Sequence, residues 1–234
     1  MENKLEIIYQ DDYFVAINKP HGLLVHRSPI AADASVFAMQ LLRDQIGQRV
    51  YPVHRLDRKT SGILLFGLNS AITALLQQNL AAQDAQKEYW AIVRGFFPEQ
   101  LKVDYPLTND RGKKQDAITN FELVEQTELP IPYGKHATSR YSLIKAFPET
   151  GRMHQIRKHC NHLRHPIIGD RPHGCNKQNR LFKERWNMTT MLLHAAQLTL
   201  VHPIHQEEMV LKATPSEEFK RMKGVLFDNN AFDA

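Results

Sequence analysis

The sequence predicts an α+β fold built on a largely antiparallel sheet. Three observations carry this. Short apolar stretches bounded by Gly, Pro and Asp read as strands; a few segments with an apolar period near 3.6 lie among them; and the two kinds do not alternate as regular βα units. No G-x-G-x-x-G follows a strand and no G-x-x-x-x-G-K-[ST] occurs, so neither a doubly wound fold nor a nucleotide cofactor has support. At 234 residues the chain exceeds one typical domain and falls short of two, which favours a single domain with two lobes.

In chain order, "LEIIYQDDYFVAIN" predicts two strands joined at Asp11 and Asp12, ended by Pro20 and Gly22. "SVFAMQLLRDQI" puts Val36, Met39, Leu42 and Ile46 on one helical face, with Ser35 as N-cap. "SAITALLQQNLAAQ" repeats the pattern with Ile72, Leu75, Leu76 and Leu80, and Ser70 as cap. "KEYWAIVRG" is a strand stopped by Gly95, on which Tyr89 and Trp90 face opposite ways. Residues 107–137 hold Pro130, Pro132 and Gly134 and little periodicity, and are expected to form a strand pair with a long loop. A strand, a turn at 148–151 and a helix with Met153, Ile156, Cys160 and Leu163 on its apolar line come next, with Arg157, Asn161 and Arg164 on a neighbouring stripe. "MLLHAAQLTLVHP" and "EEMVLKA" close the pattern as a strand pair, and the tail from Ser216 forms a helix or frays.

The two cysteines, Cys160 and Cys175, form no spaced framework and read as reduced thiols. The start "MENKLEIIYQ" has no leader pattern, and no apolar run approaches the roughly 18 residues of a membrane span, so a cytoplasmic protein off the membrane is expected. The net charge is +5, but nine Lys and Arg against two acids between Arg152 and Arg185 place +7 in one segment and leave −2 for the rest. Such a segment suits a polyanion; its plainer reading is a solvated face.

Within "HRLDRKTSGILLF", Asp57 stands between Arg55 and Arg58 and before Thr60, Ser61 and Gly62. Arginines and turn donors keep a carboxylate ionised, fit to act as nucleophile or base; equally, an Asp can simply cap a turn. His154, His159, His162 and His165 invite a metal, yet their spacing spreads the rings around a helix and no H-E-x-x-H or C-x-x-C is present, so no metal is expected. Gly151-Arg152 with His154 and Arg157 opens a helix where a phosphate can sit.

Taken together, "HRLDRKTSG", "KEYWAIVRG", "GRMHQIRKH", "YQDDYFVAINKPHGLLVH", "HPIIGD" and "LLHAAQL" resemble, in order, the motifs of the pseudouridine synthases that modify uridines in ribosomal and transfer RNA. The resemblance runs from residue 5 to about 213, and six ordered motifs are far more specific than one. "LLRDQIGQ", "HLRHPIIGD", "HGCNKQNR" and "LVHRS" are similar to a bacterial tRNA-modifying subgroup, while His173 stands where the wider family has Tyr.

The resemblance implies two lobes sharing a mixed central sheet with a cleft across it, one catalytic domain over residues 1–234, and no separate N-terminal RNA-binding module. It implies isomerisation of a tRNA uridine, at position 65, with no cofactor. The target base must be flipped out, at a cost of a few kcal/mol. Asp57 is then the catalytic carboxylate. Arg55, expected on the same strand face, fills the vacated stack; Tyr89 packs on the uracil; Arg157 pairs with the aspartate; and Leu193 floors the pocket. His54, Arg58 and Thr60 complete the substrate-binding stretch, and Arg152, Arg164 and Arg180 meet phosphates. A ribosomal RNA synthase, a non-catalytic RNA-binding module and a zinc nuclease are the competing readings.

Overall fold

The computed structural model describes residues 4–26, 36–81 and 85–228. Its first elements are β1 (Glu6–Gln10), β2 (Phe14–Lys19), α1 (Ala38–Ile46), β3 (Tyr51–Pro52), β4 (Ser61–Gly67) and α2 (Ser70–Ala81). They are followed by β5 (Gln86–Arg94), β6 (Gln100–Asp104), β7 (Leu107–Thr108), β8 (Lys114–Gln115), β9 (Ile118–Leu129) and β10 (Ser139–Pro148). The chain ends through α3 (Gln155–His162), α4 (Asn176–Trp186), β11 (Leu193–Val201), β12 (Glu208–Lys212) and α5 (Glu217–Phe227). These form two compact units: residues up to Lys87 with His194–Pro215, and Glu88–Leu193 with the residues from Ser216 on.

In the first unit the strand order is β1-β2-β4-β11, with β3 on β4 and β12 on β11. All pairs are antiparallel except β4 with β11. Asp11 makes the first hairpin: its Oδ1 accepts from the backbone N–H of Tyr13 and Phe14, the Asx-turn expected of that residue. β4 is buried along its whole length, and its Ile63 and Leu65 pack with Phe14, Leu76, Leu198 and Leu211.

In the second unit the order is β5-β10-β9-β6, all antiparallel. The pleat of β5 sorts its side chains as the sequence predicts. Trp90 and Ile92 join Tyr141, Phe182 and Met222 in one core, while Tyr89, Ala91 and Val93 join Phe121, Ile156 and Cys160 in another. The first core is covered by α4 and α5, the second by α3.

Several local expectations give way to the structure. Ser35 lies outside the described residues, and α2 is capped by Asn69, whose Oδ1 accepts from Ile72 N–H at 2.9 Å, one residue earlier than Ser70. Within 107–137, expected as a strand pair with a long loop, β7 and β8 form a short antiparallel pair and β9 adds a twelve-residue strand whose outer half faces solvent and carries no apolar alternation. The charged stretch 176–186 is a helix in which Phe182 and Gln178 are buried and Leu181 and Trp186 pack partly buried on the same core, too few apolar positions to show a period. Arg164 lies past the end of α3 in the left-handed region at φ 62, and Arg157 points into the protein, so the stripe of Arg157, Asn161 and Arg164 does not form.

Candidate active site

The signature segment lies in the first unit. Val53 N–H reaches Leu65 O at 3.0 Å, and the next residue, His54, accepts the Leu65 N–H on Nε2 at 3.2 Å. The ring continues the ladder where the chain leaves the sheet. Burial, with Lys87 nearby, pushes His54 down to about 4, so the imidazole is a neutral acceptor. Residues 55–57 are not strand, so Arg55 and Asp57 share no strand face; Arg55 is exposed and Asp57 half-buried.

Thr60, itself buried, donates its N–H to Asp57 O at 3.0 Å and closes the turn. His194 Nε2 meets a carbonyl, Ala213 O at 3.1 Å, so that nitrogen carries the proton and Nδ1 accepts the Ser61 hydroxyl at 2.9 Å. Gly62 has φ +109, and a Cβ there would lie 2.1 Å from Ala195 O, so the close parallel approach of β11 requires glycine.

The N-terminal motif holds this turn from the other side. Lys19, fully buried at the end of β2, donates from Nζ to Pro20 O and Leu23 O at 2.9 Å and to Arg58 O at 3.3 Å. Gly22 N–H also bonds Arg58 O at 2.8 Å, and Arg58 Nε returns to Gly22 O at 3.1 Å. Burial lowers Lys19 to about 7 while the Asp57 carboxylate works against that drop. His21, lowered to about 4 by burial and by Lys19 and Lys59, stays neutral in the same loop. Lys19 was missed in the sequence. Beyond a lysine at the end of an apolar strand, "FVAINK", the sequence does not mark it, and its acceptor Arg58 O is 39 residues away.

Tyr89, Arg157, Leu193, Arg152, Arg164 and Arg180 belong to the second unit. Tyr89 is half-buried against the core that α3 covers, and Leu193 is buried in that core. Arg157 is buried in a bidentate pair with Asp170, Nε to Oδ2 at 2.7 Å and the second guanidinium nitrogen to Oδ1 at 2.8 Å. Burial alone would raise Asp170; Arg157, helped by the His173 N–H and ring, more than offsets it and holds the carboxyl below its ordinary value. Asp170 too was missed, because in sequence it reads only as one acid in a basic segment. Arg152 Nε donates to Asp116 O at 2.8 Å, whereas Arg164 and Arg180 are exposed. Since Arg157 and Asp170 cancel, the +7 of the 152–185 segment stays on half-buried and exposed side chains.

The start of α3 is held by Gln155 rather than by a cap. Its Oε1 accepts from Thr150 Oγ1 and Arg152 N–H at 2.7 and 3.0 Å, and its Nε2 donates to Ile118 O and Thr119 Oγ1 at 2.9 and 3.0 Å. The Thr119 hydroxyl passes the chain to His159 Nδ1 at 2.9 Å, and His159 Nε2 donates to Tyr105 O at 3.1 Å. The other histidines of the region go elsewhere. His162 stacks on Tyr105, His165 Nδ1 meets Arg94 O, and His154 Nδ1 meets His173 Nε2 at 2.9 Å. Among the described residues no three His, Cys, Asp or Glu side chains converge as a metal site.

Comparison with known proteins adds what geometry alone does not decide. Residues 13–162 match the family model described as RNA pseudouridylate synthase. The chain belongs to the RNA pseudouridylate synthase family. It is 45% identical to a Vibrio vulnificus protein named tRNA pseudouridine synthase C, over 93% of this chain and 94% of that one. A Vibrio cholerae protein of the same name is 48% identical over 89% and 90% of the two chains. Among solved structures, Human RNA Pseudouridylate Synthase Domain Containing 1 superposes with a TM-score of 0.72 at 22% identity, covering 92% of this chain and 85% of its own. Human RNA Pseudouridylate Synthase Domain Containing 4 gives 0.70 at 24% identity, over 93% and 91%. The α+β fold is therefore that of pseudouridylate synthase domains. No described helix is long and apolar enough to cross a membrane.

Proposed function

We propose that this synthase isomerises a uridine of tRNA to pseudouridine, at position 65 where the T stem meets the acceptor stem, with Asp57 as the catalytic carboxylate. The observation that carries the role of Asp57 is the construction of its turn. Lys19, Gly22, His54, Thr60 and Ser61 fix the backbone around it through named hydrogen bonds, while the Asp57 side chain is left half-buried. A carboxylate set on so constrained a backbone is preorganised, the condition under which a reacting group is effective.

The substrate assignment is supported by the relatives named tRNA pseudouridine synthase C and by the +7 segment. The reaction breaks the C1′–N1 bond, turns the uracil and joins C1′ to C5; the C5 proton is lost and N1 gains one, so no external donor is consumed. Attack at C1′, attack at C6 and removal of the C2′ proton all call on the same carboxylate. Arg55, exposed beside Asp57, is assigned to the vacated stack, Tyr89 to the flipped uracil and loss of the C5 proton, Leu193 to its floor, and Arg157 to the charge balance of the aspartate. Arg152, Arg164 and Arg180 are assigned to phosphates.

Asp57→Asn tests the central role. The change preserves shape and removes a reactive charge, so turnover is expected to vanish while tRNA affinity stays within about threefold. Pseudouridine formation by Asp57→Asn at more than about one hundredth of the parent rate would remove Asp57 from the chemistry.

A further inference from the structure

A cavity of about 440 Å³ lies in the second unit, lined by none of the residues assigned to the reaction. One wall is the loop joining β9 to β10, which folds back on itself through Tyr133 N–H to His136 O at 2.8 Å and His136 N–H to Tyr133 O at 3.1 Å. Ser139 Oγ ties the loop to Ile131 O at 2.9 Å. Arg94 and Gly95 at the end of β5 also line it, joined to β10 by Gly95 N–H to Arg140 O at 2.7 Å. The lining backbone is thus hydrogen-bonded both in the loop and at β5.

Its chemistry is that of an anion site. Arg94, Lys135 and Arg140 line it, and of these only Arg140 has a carboxylate partner among the described residues, Glu128 at 3.1 Å. Gln178 reaches it from α4 and is 3% exposed. Its Oε1 accepts the Tyr141 hydroxyl at 2.8 Å, and its amide nitrogen has no hydrogen bond among the described residues. That amide N–H₂ faces the cavity rather than a buried void, since the Thr190 hydroxyl is the one buried side-chain polar atom without a partner among the described residues, and it is available to donate to an acceptor there. The Tyr133 ring adds a flat apolar surface. From Gln178 the helix continues with Lys177 and Arg180 exposed, which extends the positive surface along α4.

We propose that this cavity receives one nucleotide of the RNA substrate away from the reacting uridine, its phosphodiester on Arg94, Lys135 and the Gln178 amide and its base on Tyr133. The volume falls within the range of small-ligand pockets, roughly 300–1,000 Å³, and base stacking on an aromatic ring with basic side chains on the backbone is how single nucleotides are held. The proposal rests on the reading that the substrate is RNA.

The test measures binding of an unmodified tRNA transcript from 50 to 200 mM salt, separately from product formation. Three proteins are compared with the parent: Arg94→Ala with Lys135→Ala, both exposed; Gln178→Glu, which still accepts from Tyr141 but presents an oxygen in place of the donor; and the triple variant. Loss of one neutralised phosphate should lower the slope of log affinity against log salt by about 0.7–0.9. Affinity should fall about tenfold for the double Ala variant, with kcat at saturating tRNA within twofold of the parent. Should Gln178→Glu fail to fold, the double Ala variant alone decides. With a parent that makes pseudouridine, unchanged affinity and slope in the double Ala variant would overturn the proposal, as would a fall in its kcat with unaltered affinity. A parent that binds tRNA but modifies no RNA would refute the proposed function, and the salt slopes would still report on the cavity.

Discussion

Replacing Asp170 by Asn keeps the side chain's shape and removes the charge to which Arg157 is bonded at 2.7 and 2.8 Å. The two side chains are 5% and 1% exposed, so the guanidinium would be left in the interior with its main counter-charge gone. Breaking a buried pair on one side costs about 3–5 kcal/mol. Arg157 has further interactions, so the lower end, about 3 kcal/mol, is expected. At about 2–4 °C per kcal/mol for a chain of this size, the melting temperature should drop by about 6–12 °C. Calorimetry or thermal circular dichroism at pH 7 reads this directly. Arg157→Gln with Asp170→Asn should lose less than the sum of the two single changes, since no uncompensated charge is then buried. A drop under about 2 °C for Asp170→Asn, with additive single variants, would refute the view that this pair anchors the start of α3 to the 170s loop. The pair's support is also pH-dependent. Asp170 sits below its ordinary value of 3.8 in the folded protein, so its contribution is complete above that value and is lost as pH falls through the folded one.

Gly62→Ala should prevent stable folding or cost several kcal/mol, because the new Cβ meets the β11 backbone at 2.1 Å and φ is +109; a soluble variant melting within about 3 °C of the parent would contradict that packing. His54, held neutral with its folded value near 4 against 6.5 unfolded, stabilises the protein above pH 6.5. That share is lost as pH falls from 6.5 toward 4, and is at most about 3 kcal/mol. His54→Gln should be less stable at pH 7 and show a shallower acid limb in urea titrations at stepped pH; an acid limb equal to the parent's would assign the pH dependence elsewhere.

The sequence made legible the features that repeat over several residues. The hairpin turn at Asp11 and the opposed faces of Tyr89 and Trp90 on β5 are patterns of adjacent positions, and each was read correctly from them; the α2 face was read only in part, since Ile72 and Leu76 are buried but Leu75 is exposed and Thr73 is buried in its place. Single long-range contacts left no such trace. Nothing local marks Lys19 as the staple of the 57–60 turn, because its three acceptors include Arg58 O, 39 residues away. Asp170 was hidden by the charges around it, and α4 by having only two buried side chains. The same limit explains the misplaced Arg164: the helical period continues in sequence past His162, but Leu163 and Arg164 leave the helix, with Arg164 in the left-handed region. For the site, the signature residues were legible as a motif, whereas what each one bonds to came only from the structure. Ser61 needs His194, 133 residues away across the parallel pair, and His54 needs Leu65, 11 residues on and across the turn.

The central claim is tested most directly by mapping pseudouridine after the purified protein is incubated, in separate reactions, with unmodified tRNA transcripts and with ribosomal RNA fragments. Pseudouridine is expected in tRNA at the uridine where the T stem meets the acceptor stem, none in the ribosomal fragments, and none in either with Asp57→Asn. Efficient modification of a ribosomal site with an untouched tRNA would contradict the substrate assignment, and product formation by Asp57→Asn would contradict the chemistry.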